Sequence, residues 1–295
     1  MRCLLSAMLA TVLIAGILSE AAQKPTFSVK REEVRIDVLV TDNGKPVEGL
    51  TASDFEVLDN GVPQVIESAS FQEIPASVIL ILDMSGSVAG RLVEHLKKAG
   101  FDLLDKLREG ERAALITFNH AVMLDSTLTS DLQSVRQALD RTQPRSFGKT
   151  SLIDASYAGL IHAESKADQP LIIVFSDGLD TSSWLTDEAV LESARRSDAI
   201  IYAVSAGRLP DRKFLRELTQ ISGGFLVEVE STGDLGSVFV DILEEFRQRY
   251  LLAYVPREVD KAGWHELEVK VKNHPYDKIS ARQGYMREGD KSTDK

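Results

Sequence analysis

Short apolar runs recur through the middle of the chain, at 78–82, 113–118, 171–175, 200–204 and 225–229. Each is rich in Val, Ile, Leu or Ala and reads as a strand covered on both faces, as in a parallel sheet. Between and after them, apolar positions recur at helical spacing over 91–107, 131–139, 152–165, 187–197, 211–222 and 235–249. Ser130-Asp131 and Thr186-Asp187-Glu188 supply helix starts. Val122-Met123-Leu124 reads as a short antiparallel edge strand beside the one before it. This alternation predicts an α/β domain over 77–250, a doubly wound, mostly parallel sheet with helices on both faces.

The flanks carry a different period. Val34 to Val40 alternates apolar and polar residues, and Asp42-Asn43-Gly44-Lys45-Pro46 is a turn. Residues 55–58 lead into Asp59-Asn60-Gly61, a strong hairpin signal, and 65–71 continues as a strand. Beyond 250 the chain is β again, at 251–255, 265–271 and 279–286. The pattern predicts one small antiparallel β-sandwich made in two pieces, 26–74 and 251–287, with the α/β domain inserted between them. Tyr250, Tyr254 and Trp264 read as its core, and 288–295 as a disordered polar tail.

Composition narrows the function. The 295 residues are 43% hydrophobic and 27% charged, enough for an ordinary packed core. A net charge of −11 argues against nucleic acid and against docking on anionic lipid. It leaves an acidic ligand open, because a bound divalent cation dominates its own surroundings. Residues 1–21 read as a signal peptide: Arg2, an apolar stretch over 4–18, then Ser19-Glu20-Ala21 as a small-x-small cleavage site. The stretch falls short of the roughly 20 residues of a membrane span, with an uncleaved anchor as the alternative. The expectation is a secreted or periplasmic, cell-envelope protein with no membrane insertion after cleavage. Cys3, the single cysteine, lies inside this leader, so no disulfide, thiol catalysis or cysteine zinc site is expected beyond it.

Candidate chemistry sits where the 78–82 run ends, in Asp83-Met84-Ser85-Gly86-Ser87. Ligands of open α/β sheets bind beyond the carboxyl ends of the strands. If the chain stays extended there, Asp83, Ser85 and Ser87 point to one side and Met84 into the core, with Gly86 allowing a tight turn afterwards. Oxygen-only donors suit a hard cation, Mg²⁺ before Zn²⁺. Two further pieces follow: Thr150 in Gly148-Lys149-Thr150-Ser151 before a helix, and Ser176-Asp177-Gly178 after the 171–175 run. Each piece alone is also an ordinary capped turn.

The three pieces in this order resemble the metal-ion-dependent adhesion site of von Willebrand factor type A domains, over roughly 77–250. The resemblance implies that fold, similar to the dinucleotide-binding architecture, although no G-x-G-x-x-G follows the first strand. It implies Mg²⁺ (or Mn²⁺ or Ca²⁺) held directly by Ser85, Ser87 and Thr150, with Asp83 and Asp177 acting through bound waters. It leaves one coordination position for an acidic residue of a partner protein. The β flanks and the finish Arg282-Gln283-Gly284-Tyr285 are similar to bacterial secreted relatives of that family.

Around this site, Lys149, Asp180 and Trp184 are candidate partner contacts. Lys149 either repels the metal or helps bind an acidic ligand, Asp180 is a rim carboxylate or simply solvated, and Trp184 anchors a partner or packs on its own loop. Asp154 is expected to cap its helix or orient Thr150. The five histidines show no metal-ligand spacing and read as structural. The expected function is a non-catalytic, cation-dependent protein-binding module. A scaffold with a vestigial metal site is the alternative. A phosphotransferase or hydrolase is disfavoured, because Ser85 stands where the haloacid-dehalogenase pattern needs a second Asp, and no G-x-S-x-G surrounds Ser85 or Ser176.

Overall fold

The strands before residue 77 and after residue 247 pair with each other and not with the segment between them. The computed structural model describes residues 33–287, except 74, 145–147, 164–168, 177–179, 207–211, 261, 274 and 277. The expected leader, the expected tail, His274 and Asp177 therefore lie outside the described residues.

The first flank holds β1 (Val34–Asp42), β2 (Lys45–Pro46), β3 (Phe55–Asp59), β4 (Val62–Gln64) and β5 (Ile66–Glu73). The middle holds β6 (Ser77–Asp83), α1 (Arg91–Lys106), β7 (Arg112–Phe118), β8 (Val122–Thr129), α2 (Leu132–Arg141), α3 (Leu152–Ala163) and β9 (Pro170–Phe175). It continues with α4 (Asp187–Arg196), β10 (Ile200–Ala206), α5 (Lys213–Ser222), β11 (Leu226–Val229) and α6 (Leu235–Arg247). The second flank holds β12 (Gln248–Tyr254), β13 (Gly263–Val271), β14 (Lys278–Ser280) and β15 (Gly284–Arg287).

The middle forms a six-stranded sheet in the order β11-β10-β9-β6-β7-β8, parallel except for β8. All seven residues of β6 are buried, which explains the unbroken apolar run. Val78, Leu80 and Leu82 pack with α1, α2 and α6, while Ile79 and Ile81 pack with α3, α4 and α5. Each such side chain contributes roughly 1.5–3 kcal/mol on burial. The edge strand β8 is longer than the three residues expected, because its partly buried residues are shielded by α2 and α3.

The flanks build two antiparallel sheets, β14-β1-β12-β5 with β2 beside β1, and β15-β13-β3-β4. Both Asn-Gly pairs take left-handed φ, 51° and 71° at Asn43-Gly44 and 48° and 79° at Asn60-Gly61, and both close hairpins. Ile36, Val38, Tyr250 and Leu252 of one sheet meet Phe55, Val57 and Leu267 of the other. Within this sandwich the Asp59 carboxylate, fully buried, accepts from the Tyr254 and Tyr285 hydroxyls at 2.7 and 2.9 Å and lies 2.7 Å from His265 Nδ1. Burial, with the Asp59 carboxylate adding to it, pushes both phenols well above their ordinary value. His265, fully buried, is thus part of the hydrogen-bonded network inside the sandwich. Trp264 departs from the expected core role: it is half-buried, with the Arg195 guanidinium of α4 5.6 Å from its ring centre.

Two further departures have physical causes. The expected 235–249 helix stops at Arg247, and Gln248 opens β12 with no loop between them. Arg247 is 1% exposed and pairs with the buried Glu111, whose carboxylate also accepts the Ala76 and Arg108 amides at 2.9 and 2.7 Å. Arg249, equally buried, donates to the Tyr202 hydroxyl and the Gly223 carbonyl at 2.9 and 3.1 Å. The expected 279–286 strand is broken into β14 and β15, because Arg282 between them turns to the α/β domain. Its guanidinium reaches Asp198 at 2.7 Å and the carbonyls of Arg195 and Ser197 at 3.3 Å. Gly223 takes φ 81° there, and a Cβ would lie 2.7 Å from the Arg282 amide.

Candidate metal centre

Strand β6 delivers Asp83 to the carboxyl edge of the sheet, beside the end of β7. The Met84 amide donates to the Phe118 carbonyl at 2.7 Å, which turns the Met84 side chain into the core at 2% exposure. The chain then leaves the extended conformation that the sequence pattern presumed. Val88 N–H donates to the Ser85 carbonyl at 3.1 Å and closes a turn over Ser85–Val88. Ser85 and Ser87 hydroxyls come within 3.1 Å of each other through this turn. Extended residues two apart would stand roughly 6.6 Å apart along the strand. Gly86 lies within the turn, but the left-handed φ falls on Gly90, at 59°, where α1 begins.

Asp83 is fully buried and held from two sides. Its Oδ1 accepts the Ser85 amide at 2.8 Å, and its Oδ2 accepts the Ser176 hydroxyl at 2.8 Å. Ser176, at the end of β9, was quoted in the sequence motif without a role. It ties the end of β9 to the end of β6, one residue before Asp177.

Thr150 is brought to the same edge by the end of β7. Ser151 N–H donates to the Asn119 carbonyl at 2.7 Å, the residue after the Phe118 carbonyl that receives Met84. Two consecutive carbonyls therefore seat the Asp83 loop and the Thr150 loop. Thr150 is 6% exposed; its amide donates to the Thr181 hydroxyl at 2.9 Å, and its carbonyl accepts the Thr181 and Ser182 amides at 2.8 and 3.1 Å. A Ser151–Ser182 hydroxyl pair at 2.9 Å adds to this seam. None of Asn119, Thr181 or Ser182 stood out in the sequence, because each acts through the main chain or a lone hydroxyl.

The candidate partner residues separate. Lys149 is exposed beside Thr150. Asp180 is half-buried and turned inward: its carboxylate accepts the Ile153 amide at 3.2 Å, capping α3, and the Ser183 hydroxyl at 2.5 Å. Asp154 does not reach Thr150 with its carboxylate, which accepts the Trp184 and Leu185 amides at 3.0 Å and holds the loop before α4. Trp184 on that loop is 95% exposed.

The donor set is carboxylate and hydroxyl oxygen, with no nitrogen or sulfur, and so fits a hard divalent cation. Among the described residues no three His, Cys, Asp or Glu side chains group as metal ligands. The hydroxyls of Ser85, Ser87 and Thr150 fall outside that residue set.

The profile of the von Willebrand factor type A domain matches residues 77–241. Inter-alpha-trypsin inhibitor heavy chain H2 of Mus musculus is 23% identical over 205 residues, 63% of this chain and 21% of that one. An uncharacterised protein of Synechocystis is 27% identical over 111 residues, 36% of this chain and 26% of that one. The chain thus spans about a fifth and about a quarter of the length of these relatives. Among solved structures, a von Willebrand factor type A protein from Catenulispora acidiphila superposes with a TM-score of 0.55 at 13% identity, over 90% of this chain and 76% of that one. Proximal thread matrix protein 1 of the mussel byssus, in a form with a zinc-occupied MIDAS motif, superposes with a TM-score of 0.52 at 14% identity, over 60% and 49%. These likenesses establish the fold.

Proposed function

The chain belongs to the von Willebrand factor type A family, and on that premise we propose that it is a non-catalytic protein-binding module. In this reading a divalent cation bridges it to an acidic residue of a partner. The observation that carries the proposal is the state of Asp83. A fully buried carboxylate is costly unless compensated, and here it is fixed by the Ser85 amide and the Ser176 hydroxyl beside two hydroxyls 3.1 Å apart.

In this reading Ser85, Ser87 and Thr150 ligate the metal directly, and Asp83 and Asp177 act through water. Mg²⁺ is the expected ion, with Mn²⁺ or Ca²⁺ as substitutes. The cation would supply the positive charge that draws a partner carboxylate to an acidic protein. Exposed Lys149 would add to that field, and exposed Trp184 would pack on the partner's apolar surface. Asp180, engaged within its own loop, would shape the face instead of touching the partner. The protein would work outside the cytoplasm, secreted or in the cell envelope.

A sensor surface carrying a glutamate-rich peptide tests the proposal. Retention of the protein in Mg²⁺, reversed by EDTA and absent in Asp83→Ala, is the expected result. Retention that ignores EDTA or survives Asp83→Ala would overturn it.

A further inference from the structure

A second group of side chains stands beside the metal loop and takes no part in it. Between β8 and the end of α2 lies a cleft of about 300 Å³, lined among others by Met84, Thr117, Asn119, Met123, Asp125 and Arg141. Its walls are continuous with the metal centre. Met84 stands between Asp83 and Ser85, and the Asn119 carbonyl receives the Ser151 amide next to Thr150.

The inner wall is buried. Met84, Asn119 and Thr117 are 2%, 3% and 6% exposed. The buried Thr117 hydroxyl donates to Asp125 Oδ2 at 2.6 Å and so fixes a half-buried carboxylate in the cleft. The other oxygen, Asp125 Oδ1, has no hydrogen-bond or ion-pair partner among the described residues. Asn119 Oδ1 is engaged by the Ala121 amide at 3.1 Å. Arg141, the other charge of the lining, is exposed at the end of α2 and not paired with Asp125 among the described residues. An exposed charge is screened, whereas a half-buried and oriented carboxylate keeps its field. Two thioethers beside it form an adaptable apolar sleeve.

We infer that this cleft takes the basic side chain of a lysine or arginine, an aliphatic stem against Met84 and Met123 with its cationic head on Asp125. Only the source of that side chain, the same partner that offers its acid to the metal, rests on the adhesion reading. The partner's contact segment then pairs an acidic residue with a nearby basic one.

The methionines supply the test. Of the five in the chain, Met84 and Met123 line the cleft and Met286 lies on β15. In protein labelled with ¹³C at the methionine methyls, n-butylammonium should shift the Met84 and Met123 signals saturably and leave Met286 unmoved. The neutral isostere n-butanol should not. Asp125→Asn, which keeps the shape and still accepts from Thr117, should abolish the response. EDTA should leave it intact, which separates this cleft from the metal reading. An equal response to n-butanol, a response that survives Asp125→Asn, or no saturable response overturns the proposal. For the partner, capped peptides joining Asp to Lys through zero to three glycines should bind in Mg²⁺ about tenfold tighter than norleucine versions, the worth of a charge-assisted hydrogen bond. Equal binding at every spacing, or a difference that persists in Asp125→Asn, refutes the basic-residue assignment.

Discussion

The Ser176 hydroxyl, at the end of β9, donates to Asp83 Oδ2, at the end of β6, at 2.8 Å. This bond joins neighbouring strands of the sheet and fixes the carboxylate that holds the Ser85 amide. Ser176→Ala removes this donor from a carboxylate that is fully buried. The expected loss is about 1 kcal/mol, or roughly fivefold in Mn²⁺ affinity. Titration of the EDTA-stripped variant measures it, with circular dichroism to show the fold retained. Unchanged affinity would mean that Asp83 is not oriented by Ser176.

Asp154 holds the loop that displays Trp184, through the Trp184 and Leu185 amides at 3.0 Å. Asp154→Ala should cost about 1–3 kcal/mol, because two amides lose a charged acceptor. It should also loosen the exposed indole. The chain has two tryptophans, so Trp264→Phe leaves Trp184 as the reporter. Fluorescence anisotropy decay should then show faster local motion in Asp154→Ala than in its parent. An identical decay would place the rigidity of the loop elsewhere, in the Thr150–Thr181 seam.

Much of this was legible in the chain, and the failures share a cause. The apolar run of β6 announces a strand buried on both faces because all seven of its residues are buried. The order Asp83, Ser85, Ser87, Thr150 is legible because each lies where a strand ends or a helix begins. The end of α6 was not. Arg247, Gln248 and Arg249 look like a solvated helix terminus, yet Arg247 and Arg249 are 1% exposed. Their partners, Glu111 and Tyr202, lie 136 and 47 residues away, and no local period encodes such a pairing. The role of Ser176 was hidden similarly, since its bond to Asp83 spans 93 residues. The turn expected at Gly86 starts earlier, at Ser85, because alternation describes only a chain that remains extended.

The Arg247–Glu111 pair closes the α/β domain where it enters and leaves the sandwich. Arg247→Ala leaves Glu111 buried without its cation and should cost about 3–5 kcal/mol in urea denaturation. Arg247→Met with Glu111→Leu should recover much of that loss, because packing replaces a desolvated pair. A double variant as unstable as Arg247→Ala would assign the cost to something other than the unpaired charge.

The same carboxylate gives a pH dependence. Burial alone would raise Glu111, but the Arg247 hydrogen bond and the Ala76 and Arg108 amides outweigh it and hold the carboxyl below its usual range. A lowered folded value means the stabilisation is complete above the ordinary glutamate value, about 4.3. It is lost as pH falls through the folded value. Glu111→Gln should therefore be less stable than the wild type at pH 7, with the gap narrowing below about pH 4. A gap independent of pH would mean that the pair contributes no charge-linked stability.

The central claim is that Asp83, Ser85, Ser87 and Thr150 form a cation site, and isothermal titration calorimetry of Mg²⁺ and Mn²⁺ into the EDTA-stripped protein tests it most directly. The account predicts saturable binding of one ion per chain, lost in Asp83→Ala while the fold survives. No saturable binding, or binding undiminished in Asp83→Ala, would contradict it.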